Sequence, residues 1–158
     1  MNPSLVLLLA FLIGVVSGLR SLTAPALVAW AAHRNWIDLH STSVAFMGTT
    51  AAIAIFTVLA VVELIADQLP SAPARTAPPG LIARIILGGL SGASIALAGA
   101  QSVAAGSILG VLGGIAGAFG GYQVRTRLVK ALKVPDLVIA LLEDAVAIAG
   151  GLFIVTRF

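Results

Sequence analysis

The sequence predicts an all-α, polytopic membrane protein of about five transmembrane helices with a broken first helix, one membrane domain filling residues 1–158. Three observations carry that reading. Hydrophobic residues make up 59% of the chain and charged residues only 9%, against about a quarter charged in ordinary globular domains. The apolar residues fall in runs close to the roughly 20 residues that a helix needs to cross the hydrocarbon layer. Prolines and most charges gather between those runs. About five spans and their connections use the whole length and leave no room for an extramembrane domain.

The first apolar run, residues 3–32, exceeds one span and is interrupted by Gly18, Arg20, Ser21, Thr23 and Pro25. Pro25 cannot donate to the carbonyl of Ser21 and disfavours helical geometry at Ala24, so the helix breaks or kinks there. Backbone freed in this way must face protein or a water-filled cavity. No basic region precedes Leu5–Val16 and no small-residue cleavage site follows, so the N-terminus is expected to stay on the mature protein. Residues 33–43, with Trp36 among His33, Arg34, Asn35 and Asp38, read as chain crossing the headgroup layer. Span two covers 44–66. The segment from Asp67 to Gly80, with Pro70, Pro73, Pro78 and Pro79, reads as the longest exposed loop. Span three covers 81–100, a joint at Gln101 and Ser102 follows, and the glycine-rich span four covers 102–124. After a basic connection from Arg125 to Lys133, Pro135 opens span five, 135–155, from a first-turn position.

Orientation follows from the positive charges, which favour the cytoplasmic side. The loops after spans two and four share a side that holds Arg75, Arg84, Arg125, Arg127, Lys130 and Lys133; the other side carries Arg34 and Arg157. Five crossings then put the N-terminus in the cytoplasm and the C-terminus outside. A re-entrant hairpin in the first segment would move the N-terminus to the other side. The Arg125–Lys133 cluster reads as a topological anchor that can also attract anionic lipid.

Gly106, Gly110, Gly113, Gly114, Gly117, Gly120 and Gly121 recur at three- and four-residue spacing in span four, and Gly88 and Gly92 repeat the pattern in span three. Small residues on one helix face let backbones approach closely. Gly88, Gly92, Gly106, Gly110, Gly113, Gly117 and Gly121 are therefore read as helix-packing positions, within the monomer or across a homodimer or higher homo-oligomer. They lack the lysine and following Ser or Thr of a phosphate loop.

The acids carry the functional reading, because an ionisable group in a membrane span costs roughly 2.5–3.5 kcal/mol on insertion scales and marks a functional site by default. Glu63 and Asp67 lie one helical turn apart near the end of span two. Glu143, eight residues after Pro135, sits about 12 Å along its helix and well into the bilayer. Glu143 and Asp144 are adjacent, so they point about 100° apart and address different neighbours. Their candidate partners are Arg20, Arg84, the hydroxyls of Thr49, Thr50 and Thr57, and the amides freed near Pro25.

Three pieces of sequence carry a resemblance: Gly18-Leu19-Arg20 before a proline-interrupted helix, the stretch Glu63-Leu64-Ile65-Ala66-Asp67-Gln68-Leu69-Pro70, and Pro135 leading to Glu143-Asp144. Together they resemble the bacterial membrane family catalogued as domain of unknown function 4126. The resemblance implies a multi-pass protein of the bacterial cytoplasmic (inner) membrane and supports the selection of Arg20, Glu63, Asp67, Glu143 and Asp144. It implies no activity. A weak symmetry between residues 5–66 and 106–155, each a glycine-bearing helix before a helix with a glutamate, suggests an inverted repeat.

The expected function is transport or channelling of protons or small ions through Arg20, Glu63, Asp67, Glu143 and Asp144. The alternatives are a membrane scaffold whose buried ion pairs fix helix register, and a lipid- or amphiphile-binding protein in which Arg20 holds an anionic headgroup. An enzyme is not expected: no nucleophile sits with a base, and His33 and His40 make no dense metal constellation with the acids. Without cysteine there is no disulfide framework or thiolate site. The sequence calls for no cofactor and no metal, and with no soluble recognition module it calls for no nucleic acid. Membrane lipids are the expected partners.

Overall fold

The computed structural model describes residues 1–67 and 77–158, and every regular element among them is helical. Six α-helices follow in order: α1 (Pro3–Leu19), α2 (Thr23–His33), α3 (Thr50–Ala66), α4 (Pro78–Ala98), α5 (Val103–Leu132) and α6 (Asp136–Val155). Among the described residues, α4, α5 and α6 are long and apolar enough to cross a membrane, whereas α1 and α3 are apolar but shorter, at 17 residues each. The chain is a helical membrane protein.

Local sequence explains the helix ends. The Asn2 side chain accepts from the Ser4 amide at 2.9 Å, with Pro3 in the first helical turn of α1. Thr49 and Ser102 cap α3 and α5 by accepting from Ala52 and Ala105, which satisfies amides that have no partner within the helix. Pro25 falls in the first turn of α2, where its missing N–H costs nothing. The helix break therefore sits before it, at Arg20–Leu22. Residues 44–49, expected in span two, form a 3-10 turn at Ala45–Gly48 and the cap of α3. The connection expected from Arg125 to Lys133 is helical to Leu132, because no residue there breaks a helix before Pro135. Lys133 ends α5 with φ 53° and ψ 31°. At 30 residues, α5 is about 45 Å long and outreaches a hydrocarbon layer of about 30 Å. Most of the expected loop from Asp67 to Gly80 lies outside the described residues.

The break reverses the chain. Val16 of α1 and Leu27 of α2 both reach Gly151 of α6 from opposite sides of the turn, while Arg20 at the turn meets Asp144. α2 thus runs back along α1, and α3 returns along α2, with Ser21 bound to Glu63 at one end and His33 within 3.1 Å of the Gly48 carbonyl at the other. Two bundle ends result: the α1–α2 turn and the α5–α6 connection point one way, and the starts of α1 and α5 and the end of α6 point the other. Ala24, Val28, Ala31 and Ala32 of α2 are buried in one apolar cluster with Leu9, Ile13, Met47, Ile95 and Ala147. α2 is short enough to be enclosed by its neighbours, which is why most of its residues are buried.

α1, α4 and α5 meet through glycine. A Cβ built on Gly14 would stand 2.2 Å from the Gly110 carbonyl oxygen, one on Gly110 2.1 Å from that of Gly88, and one on Gly92 2.4 Å from that of Gly106. Gly113 and Gly117 face the α1 backbone, at 2.1 Å from the Phe11 oxygen and 2.3 Å from the Val15 oxygen. The pairings rise together along α1 and α5 and oppose along α4, so α1 and α5 are parallel and α4 is antiparallel to both. That relation does not match an inverted repeat, whose two glycine-bearing helices would run in opposite directions.

Candidate functional site: a buried charge network at the helix turn

Arg20 occupies the α1–α2 turn with no exposed surface. A guanidinium there is costly unless paired, and two helices supply the partners: Nε donates to Asp144 Oδ1 of α6 and Nη1 to Asp67 Oδ2 at the end of α3. Such charge-assisted bonds are about twice as strong as neutral ones. Asp144 is nearly buried, whereas the side chain of Asp67 keeps 25% of its surface exposed. The third nitrogen, Nη2, and the Thr23 hydroxyl are buried without a hydrogen bond among the described residues.

Glu63, one turn before Asp67 on α3, reads the broken backbone. Its Oε1 accepts from the Ser21 amide at 2.8 Å and the Ser21 hydroxyl at 2.5 Å, and its Oε2 accepts from the Leu22 amide at 2.8 Å. No side chain of α2 caps its own start. A carboxylate borrowed from α3 satisfies the free amides and sits at the positive end of the α2 dipole.

Arg84 completes the network from α4. Its Nε donates to the Gly18 carbonyl at 3.1 Å and its Nη1 to the Gly80 carbonyl at 3.0 Å. Nη2 lies 3.9 Å from Glu63 and 4.0 Å from Asp67. Ser17 Oγ is within hydrogen-bonding reach of the Ser21 carbonyl, 3.2 Å, and the Arg84 carbonyl, 3.3 Å. The turn, α1, α3, α4 and α6 thus each contribute a polar group to one cluster.

Arg20, Glu63, Asp67 and Asp144 come together, joined by Arg84. Glu143 does not join them: it turns toward Arg125 of α5, 3.7 Å away, while Arg125 donates to Asp136 through Nε at 2.8 Å and through Nη2. Thr49 and Thr57, considered as partners for the acids, work elsewhere, Thr49 as a cap and Thr57 as acceptor for the Trp30 indole at 3.0 Å. Gly121 lines a crevice of about 280 Å³ between α1, α5 and α6, together with Leu19, Arg125, Leu142 and Glu143.

Some participants escaped sequence reasoning. Gly14 and Gly18 form the α1 half of the glycine contact, and their four-residue spacing in Gly14-Val15-Val16-Ser17-Gly18 is a visible signal. Ser17, one turn before Ser21 of the break, has the same spacing. The Arg125–Asp136 pair, eleven residues apart across a helix turn, left no local signature.

The family model described as domain of unknown function, DUF4126, matches residues 7–157. The chain belongs to this family. Its match contains every residue of the network and of the glycine contact. No curated protein and no solved structure matches the chain.

Proposed function

We propose that this DUF4126 protein is a transporter or channel for protons or small ions, and that the Arg20 network is its working site. The observation that carries the reading is a fully buried guanidinium clamped by carboxylates from two helices, Asp67 and Asp144, at a backbone turn held by a third carboxylate, Glu63. A proton or small cation arriving at Asp67 or Asp144 competes with Arg20 for the same oxygens. Losing one of the two leaves Arg20 held from one helix only, so occupancy is coupled to the arrangement of α3 and α6 against the glycine-packed helices. Asp67, the partly exposed member, is the entry point.

If the basic end faces the cytoplasm, both termini lie outside, because the start of α1 and the end of α6 share the opposite end of the bundle. The expectation of a cytoplasmic N-terminus counted residues 3–32 as one crossing, whereas α2 runs back along α1 and returns the chain toward the end it started from. A bacterial inner-membrane location and assembly into a homo-oligomer belong to the same proposal.

The test is proton and cation flux into proteoliposomes, comparing the native protein with Asp67→Asn and Asp144→Asn variants shown to be folded and equally inserted. Flux that disappears in either variant supports the reading. Absence of flux with the native protein under every imposed gradient refutes it and leaves the scaffold, in which the network only fixes helix register.

A further inference from the structure

The crevice between α1, α5 and α6 lies toward the basic end of the bundle and is separate from the Arg20 network. Its walls include Leu19, Val124, Leu128, Leu142 and Val146. Val124, Leu142 and Val146 are well exposed, so the crevice opens sideways from the helices. At about 280 Å³ it is just below the range of about 300–1,000 Å³ typical of small-molecule pockets. It has room for part of one hydrocarbon chain, with the remainder lying along the exposed edge.

Two charges interrupt this apolar lining. Arg125 spends Nε and Nη2 on Asp136. Its Nη1 faces Glu143 at 3.7 Å, too far for a direct hydrogen bond, and makes none among the described residues. A donor with hydrogen-bonding capacity left thus stands beside a carboxylate, which has about four acceptor positions and can take a further donor whatever else it binds. Arg125 thus stands between two carboxylates, Asp136 and Glu143, which complements a headgroup that carries an ammonium beside its phosphate, whereas a purely anionic head would meet both acids. The basic residues further along α5, Arg127 and Lys130, fall about 110° and 170° away from the crevice-lining face at 100° per residue. They do not change its local charge.

We propose that this crevice binds a zwitterionic phospholipid with a primary amine. One acyl chain fills the crevice, the phosphate accepts from Nη1 of Arg125, and the ammonium donates to Glu143. The inference does not depend on ion transport, because it requires only binding.

The test is native mass spectrometry of the purified protein in detergent with dioleoyl phosphatidylethanolamine, phosphatidylcholine or phosphatidylglycerol, with thermal melting to verify that each variant is folded. The choline lipid keeps both charges but has no N–H to donate. Charged hydrogen bonds of the kind proposed lead us to expect about tenfold greater retention of the ethanolamine lipid than of either other lipid. Glu143→Gln should remove its advantage over the choline lipid. Val146→Trp and Leu142→Trp, at exposed edge positions, should block retention by filling the crevice. Equal retention of the three lipids, preference for the glycerol lipid, no retention of any, or undiminished retention in both tryptophan variants would overturn the proposal.

Discussion

Gly110 sits where three helices meet, and replacing it with alanine tests that contact with a single methyl group. The new Cβ would stand 2.1 Å from the Gly88 oxygen, 2.9 Å from the Gly88 carbonyl carbon and 3.0 Å from the Gly92 Cα. Even a close C···O contact is about 3.3 Å, so α4 and α5 must separate by about 1.2 Å. All three obstacles are backbone atoms, which no rotamer change can move. The Gly110 carbonyl is itself the surface against which Gly14 packs, at 2.2 Å from a Cβ built there, so the shift spreads to α1. Overpacking of this kind costs typically 1–3 kcal/mol, and the involvement of two interfaces puts Gly110→Ala at about 2–3 kcal/mol. By the scaling of soluble domains that lowers the melting midpoint by on the order of 5–10 °C. The control is Gly120→Ala on the same helix, where a Cβ meets nothing within 4 Å; there better helix propensity should be neutral or stabilising by up to about 1 kcal/mol. The assay is thermal or denaturant unfolding in one detergent, followed by circular dichroism. Equal midpoints for Gly110→Ala and Gly120→Ala would refute the glycine-mediated approach of α4 and α5.

Three other measurements probe the network and the chain path. Asp144→Asn, which weakens one side of the grip on Arg20, should destabilise by up to about 3–5 kcal/mol, while replacing Arg20, Asp67 and Asp144 together with apolar residues should recover most of that loss in the same unfolding assay. Glu63→Gln keeps an acceptor but loses the charge facing the Ser21 and Leu22 amides, at a cost of about 1.5–3 kcal/mol, and hydrogen exchange of those amides should speed up accordingly. Because the chain has no cysteine, single cysteines at Asn2, Phe158 and Lys130 can be labelled one at a time in intact cells. Asn2 and Phe158 should label from one side and Lys130 from the other; labelling of Asn2 and Phe158 from opposite sides would remove the α1–α2 hairpin.

How much of this was legible depends on whether the signal was local. Helical class, the break near Pro25 and the start of α6 after Pro135 follow from composition and from the missing N–H of proline. The divergence of Glu143 and Asp144 followed from the angle between adjacent helical positions. Reversal of the chain at Arg20 was not legible, because a kink and a hairpin have the same breaker residues and differ only in what encloses α2. Nor could spacing show that Arg20 joins Asp67 with Asp144, at 47 and 124 residues' separation. The extent of α5 was hidden by charge: Arg125–Lys133 suggested a loop, yet arginine and lysine are good helix formers.

Those separations also bear on how the protein is made. Arg20 leaves the ribosome 47 residues before Asp67 and 124 before Asp144, an interval of about 6–25 s for the second partner at ordinary synthesis rates. Gly14 likewise waits for Gly110. The nascent first hairpin therefore has at most Asp67 against Arg20, and a face of bare backbone, until α5 and then α6 emerge, so full burial of the turn comes late in synthesis.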